Sequence, residues 1–149
     1  MVGLLTTALP IHAATQTTTF SVTATVQATC TISATTMAFG TYTGVVATAT
    51  STVSVTCTNT TPYNVGLDPG LSTGATVTTR KMQNGANLLA YGLYSDSGHS
   101  TNWGNTAGSW VAGTGNGSLQ AITVYGQVAA AQFVNPGAYS DTITATVNY

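Results

Sequence analysis

The sequence contains no glutamate. Only Arg80, Lys81, Asp68, Asp96 and Asp141 carry a formal charge, which is 3% of 149 residues where about a quarter is usual. A surface so poor in cations excludes nucleic acid as a partner, because each neutralised phosphate needs its own Lys or Arg. The net charge of −1 also removes the repulsion that keeps molecules apart, so the composition tolerates assembly. No run after the opening stretch approaches the roughly 18 apolar residues of a transmembrane segment. Cys30 and Cys57 have no neighbouring His pair, so they make no tetrahedral metal set. Asp68, Asp96 and Asp141 stand apart and read as turn caps, not as a carboxylate pair or calcium cage. The stretch Asp96-Ser97-Gly98-His99-Ser100 holds the residue types of a triad, but adjacency on a loop does not supply the orienting hydrogen bonds. No Gly-rich phosphate loop opens a helix. The sequence thus offers no enzyme active site, no cofactor site and no metal site.

What is present is β structure. Thr is the commonest residue, and β-branched side chains are spread through short alternating segments. Seven Tyr, three Phe and two Trp argue against disorder. Strands with one inward face are expected from Phe20, Val22, Ala24 and Val26; from Cys30, Ile32, Met37 and Phe39; and from Val53, Val55 and Cys57. Further faces are Tyr63, Val65 and Leu67; Leu89, Tyr91 and Leu93; Ile122, Val124, Gly126 and Val128; and Tyr139, Ile143, Ala145, Val147 and Tyr149. Residues 95–118 read as a loop in which Trp103 and Trp110 are packing anchors or exposed contacts. About seven short strands and no helical period in one domain's length predict an all-β antiparallel sandwich, with a small closed barrel as the competing architecture.

The opening MVGLLTTALPIHAA has the apolar run and small-residue ending of a secretory signal, though no Lys or Arg precedes the run. An even cysteine count behind such a leader favours one disulfide over two buried thiols. Cys57 ends an inward face and is expected to meet Cys30 across the core. Closing that loop is worth roughly 3.5 kcal/mol of loop entropy.

The strand at 17–27 admits two readings. It is either the first strand of its own sandwich or a spare strand that completes another copy. If the fold stops one strand early, its last strand borders an open groove, and a neighbour's alternating segment could fill it by β-augmentation.

The ordered motifs FSVTATVQATC (20–30), FGTY (39–42), VSVTCT (53–58), YNVGLDPG (63–70), RKM (80–82), LLAYGLYSD (88–96), VYGQV (124–128) and PGAYSDTITATVNY (136–149) resemble the spore coat protein U domain family. That family includes the major subunits of archaic, Csu-type chaperone-usher pili. The resemblance implies a secretory signal over 1–14, a donor strand over 15–28 and an incomplete immunoglobulin-like pilin domain over 29–149. It implies donor residues Phe20, Val22, Ala24 and Val26, a disulfide between Cys30 and Cys57, and an acceptor edge at Ile143, Ala145, Val147 and Tyr149. It further implies a shaft subunit exported through the bacterial periplasm. A periplasmic chaperone and an outer-membrane usher are the implied assembly partners, with polymerisation onto identical subunits at the cell surface for attachment or biofilm. The alternatives are a spore or cell-surface coat protein that assembles laterally and a sugar-binding sandwich that uses Trp103 and Trp110.

Overall fold

Alternation of Thr or Ser with Val or Ala is carried furthest in Ala47–Cys57, whose Val53, Val55 and Cys57 are buried while Thr48 and Thr50 face water. In the computed structural model, which describes residue 3 and residues 12–149, this segment is an interior strand of the larger of two sheets, next to its edge strand. The leader expected over 1–14 lies, apart from Gly3 and residues 12–14, outside the described residues.

Eight strands form among the described residues: β1 Cys30–Ala34, β2 Ala47–Cys57, β3 Pro62–Leu67, β4 Arg80–Asn84, β5 Asn87–Tyr94, β6 Val111–Thr114, β7 Gln120–Val128 and β8 Ala145–Asn148. They build a five-stranded sheet in the order β1-β2-β7-β5-β4 and a three-stranded sheet in the order β6-β3-β8. Every pairing is antiparallel. Both sheets keep open edges, so the chain is a sandwich and not a closed barrel. Inward faces of β2, β3, β5 and β7 meet in a core of Val53, Val55, Tyr63, Val65, Leu67, Leu89, Tyr91, Leu93, Val124 and Val128, with Trp103 between them. Trp103 is fully buried, and its indole N–H donates to the Val65 carbonyl at 2.8 Å. It is a packing anchor, while Trp110 is half-buried.

Three expectations change. Residues 17–27 form no strand, because none of the described residues pairs with them. The loop expected over 95–118 contains β6, which pairs with β3. β4 was not legible as a strand because its inward position is Arg80, and an Arg-Lys pair reads as solvent-facing. A two-residue loop, Gly85-Ala86, joins β4 to β5, with Gly85 at φ 59° in the first loop position that such hairpins reserve for glycine.

The disulfide also differs in place. Cys30 and Cys57 are bonded, but they are ladder partners on neighbouring strands of one sheet, not residues joined across the core. β1 runs antiparallel to β2 directly from the first cysteine, so the covalent bond pins the edge strand β1 to the sheet.

Arg80 is fully buried, and four backbone carbonyls take its hydrogen bonds: Asp68 at 2.8 Å, Val77 at 2.7 Å, Leu67 at 2.9 Å and Trp103 at 2.8 Å. One guanidinium fork therefore ties the end of β3, the loop before β4 and the loop after β5. Burial pulls its pKa down, while the fields of Tyr91, Asp68 and Asp141 oppose that shift. Asp68 and Asp141, expected to stand apart, are drawn to this centre. The Tyr91 hydroxyl donates to Asp141 Oδ2 at 2.6 Å, and Asp141 Oδ1 accepts from the Leu71 and Thr142 N–H groups. Asp68 Oδ1 accepts from Gly70 and Thr144. Gly70 sits at φ 85°, and a Cβ there would collide with the Asp141 carboxylate. This network anchors residues 139–145, which have no complete ladder of their own.

Replacing Arg80 by Met keeps the volume but leaves four buried carbonyls without their donor, at about 1–3 kcal/mol for each group that stays dry. Urea unfolding of Arg80→Met should show a loss of at least ~3 kcal/mol, and a loss below 1 kcal/mol would remove Arg80 from this role. Burial, then the hydrogen bond and charge of Asp141, push the Tyr91 hydroxyl above its ordinary pKa of 10. Its contribution is complete below pH 10 and is lost as pH rises beyond it, by up to ~1.4 kcal/mol per pH unit. The stability difference between wild type and Tyr91→Phe, measured by denaturant titration from pH 9 to 11.5, should shrink over that window.

Candidate groove and free arm

After β7 the chain turns back through residues 129–138 and then runs alongside the sandwich to β8. Tyr139, Ile143, Ala145 and Val147 point inward and alternate with exposed Ser140, Thr142, Thr144 and Thr146. These inward residues are only half-buried, in contrast to the fully covered Val65 and Val128. The opposite wall, residues 34–42 beyond β1, has the same character: Met37, Phe39 and Tyr42 pack on the core and stay half-exposed.

Between the two walls runs a groove. Its narrower part, about 410 Å³, is floored by Val53, Leu67, Tyr91, Leu93 and Val124 and walled by Met37, Ile143 and Ala145. Its wider part, about 880 Å³, continues past Phe39, Met82, Leu89 and Val128 to a mouth at Gly44 and Phe133. The two share Met37, Phe39, Met82 and Tyr139, so they form one trough along the sandwich. At the other end β1 and β8 pack against each other without hydrogen bonding.

The backbone of the groove wall is unpaired. Asp68 N–H donates to the Thr144 carbonyl at 3.1 Å, which aims residue 144 at β3. Antiparallel alternation then turns the N–H and C=O groups of Ile143, Ala145 and Val147 the other way, toward the groove and β1. Ser140 exchanges both its backbone bonds with Gln83, so Asp141 also faces away from that partner. On the opposite wall the backbone of Met37 to Thr41 takes part in no backbone hydrogen bond among the described residues. Two rows of unmet donors and acceptors therefore flank an apolar floor, which is the arrangement an added strand satisfies.

Of the expected acceptor residues, Ile143 and Ala145 line the groove. Val147 packs on the core without lining the groove, and Tyr149 is exposed. Met37, Phe39 and Tyr139, which complete the groove together with Met82, were read in the sequence only as ordinary inward residues, because a groove wall and a core face share one period. The expected donor residues Phe20, Val22, Ala24 and Val26 lie on an arm, residues 15–29, exposed along its whole length. Phe20 is 86% exposed and Val26 88%.

The remaining polar cluster has a structural task. Asp96 accepts from the Thr101 N–H at 2.6 Å and from the N–H and hydroxyl of Ser100, which hold its carboxyl down at about 2. Its carboxylate caps the 96–101 turn. His99 lies edge-on against Tyr94 and Tyr125, with centroids 5.4 and 6.4 Å away. Among the described residues no group of His, Cys, Asp and Glu could hold a metal, and no helix is long and apolar enough to cross a membrane.

Comparison with known proteins agrees with this architecture. The chain is 35% identical over 128 residues to Protein U of Myxococcus xanthus, spanning 76% of this chain and 72% of that protein. Its fold matches a chain in the chaperone–tip adhesion subunit pre-assembly complex from archaic chaperone-usher Csu pili of Acinetobacter baumannii, with a TM-score of 0.60 at 24% identity. That match covers 84% of this chain and 40% of the longer solved chain. The profile of the Spore Coat Protein U domain fits residues 16–146, and the chain belongs to that family.

Proposed function

We propose that this protein is a structural subunit of a chaperone-usher pilus, and that it polymerises head to tail when residues 15–28 of one copy enter the groove of the next. The observation that carries this reading is the conjunction of an unpaired groove with an exposed arm of matching chemistry. Seven residues, Phe20 to Val26, reach about 23 Å when extended, the same span as the seven residues 139–145 of the wall. The arm's apolar residues alternate as the groove floor requires, and neither partner carries a charge into it apart from Asp141, already held by Tyr91, Leu71 and Thr142.

Burial of Phe20, Val22 and Val26 would contribute on the order of 1.5–3 kcal/mol each, and each ladder bond about 0.5–1.5 kcal/mol net. Ordering the free arm costs part of this, at roughly 1–2 kcal/mol per residue of backbone. Such a contact is heterologous and does not close, so it generates a filament. In this reading a periplasmic chaperone covers the groove until an outer-membrane usher exchanges it for the arm. The chain then serves as a shaft subunit at the bacterial surface, in attachment or biofilm. A lateral coat is the second reading, favoured by the description of the matching family, the Spore Coat Protein U domain. The sugar-binding alternative loses one of its two Trp residues, since Trp103 is buried in the core while Trp110 is half-buried.

Deleting residues 15–27 should give a monomer that binds a synthetic peptide of residues 15–28 but forms no fibres in electron micrographs; ordinary fibres from this variant would refute the arm's role. Phe20→Asp forces an unpaired charge into an apolar floor. The corresponding peptide should bind the arm-deleted domain at least ~100-fold more weakly by calorimetry than the natural one.

A further inference from the structure

The arm leaves the domain at one pole, and the groove opens at the other. Thr29 continues β1 outward: its carbonyl accepts from Thr58 N–H at 3.0 Å and its N–H donates to Thr58 Oγ1 at 3.2 Å. The root of the arm is thereby fixed beside Cys57, where the loop carrying Leu119 also sits, its Gly117 N–H bonded to the Cys57 carbonyl. The wide mouth lies far from this pole, beyond residues 40–46 and 129–137.

This placement restricts how two copies can join. If an arm entered with its N-terminus at the mouth, the donor's body would emerge at the acceptor's arm-root pole, and that pole would carry both neighbours. An arm that enters from the mouth, with Val26 last, separates the two contacts. Only Gln27, Ala28 and Thr29 then link the buried arm to the donor's β1, a reach of at most about 10 Å. The donor's body must rest against the rim of the mouth.

The rim is built to receive something. Tyr42 Oη donates to the Ala129 carbonyl at 2.7 Å and accepts from the Gln132 N–H. The Gln132 side chain bonds both backbone groups of Ala90, and Ala131 N–H donates to the Gly44 carbonyl. These bonds fix the loop, and the fixed loop presents Phe133 at 93% exposure beside Val45 and Val46, at 64% and 53%. At the arm-root pole Leu119 is 65% exposed.

We propose that the rim formed by Val45, Val46 and Phe133 is the seat for the body of a second copy of this chain, which presents its arm-root pole with Leu119. This rests on the arm-in-groove reading and adds to it a second, body-to-body contact that sets the angle and stiffness of the filament joint. The partner's chemistry follows from the short spacer: whatever touches the rim is attached to the arm in the groove.

The test uses Val45→Ser on the rim and, on the other pole, Leu119→Ser, each in the full chain and in the chain lacking residues 15–27. Val45 lies on the surface and outside the groove lining, so the fold should survive, and circular dichroism melts verify that. Affinity for the 15–28 peptide should stay within twofold of wild type, while the filaments of either variant should be several-fold shorter and variably bent in micrographs. Unaltered filament length and curvature in both variants would overturn the seat while leaving the arm's role intact. A parallel tenfold fall in peptide affinity would also overturn it, by making the rim part of the groove itself. If the wild-type domain fails to bind the peptide, the arm-in-groove reading and the seat fall together.

Discussion

The structure depends on a row of backbone groups that its own chain leaves unmatched. Ile143, Ala145 and Val147 turn their N–H and C=O groups away from β3, and no strand among the described residues lies there to receive them. A buried backbone group without a partner is costly, so this edge is tolerable only while it is open to water or occupied by another strand. The half-buried state of Met37, Phe39, Tyr139 and Ile143 follows from the same omission, because a missing strand leaves its neighbours' side chains uncovered on one flank. The exposed arm is an alternating apolar segment of about the same length, and the proposed exchange between copies would match the one to the other.

Leaving out a strand weakens a sandwich, and the rest of the molecule is arranged to hold the open edges in position. The disulfide pins β1 to β2 at the arm's root. Arg80 gathers the carbonyls of Leu67, Asp68, Val77 and Trp103 at the centre, where a hydrophobic residue could fill space but could not tie three segments. Asp68 and Asp141 secure residues 139–145 from the side opposite the groove. Four of the five formal charges are thus accounted for by internal bonds or a turn cap, with Lys81 left half-exposed on β4. A surface this neutral gives no long-range repulsion between copies.

Much of this was legible in the sequence because strand periodicity is a local property. The inward faces Val53-Val55-Cys57, Tyr63-Val65-Leu67, Leu89-Tyr91-Leu93 and Val124-Gly126-Val128 are buried as their alternation required. Where a polar residue took an inward position the pattern failed, as at Arg80 in β4, and where a strand was only four residues long, as in β6, it left no period to read. Met82 and Tyr139 carried no mark that separates a groove wall from a core.

The sequence by itself determined the class of the fold, the apolar stripe of the arm, the neutral surface and the family, since each is written in residue type and spacing. Tertiary structure decided which stripes find partners. Alternation at 20–26 and at 143–147 looks the same on paper, and only the packing of two sheets determines that one stripe hangs free and the other borders an unfilled trough. Pairing is a property of edges, and edges exist only once the strands have been placed side by side.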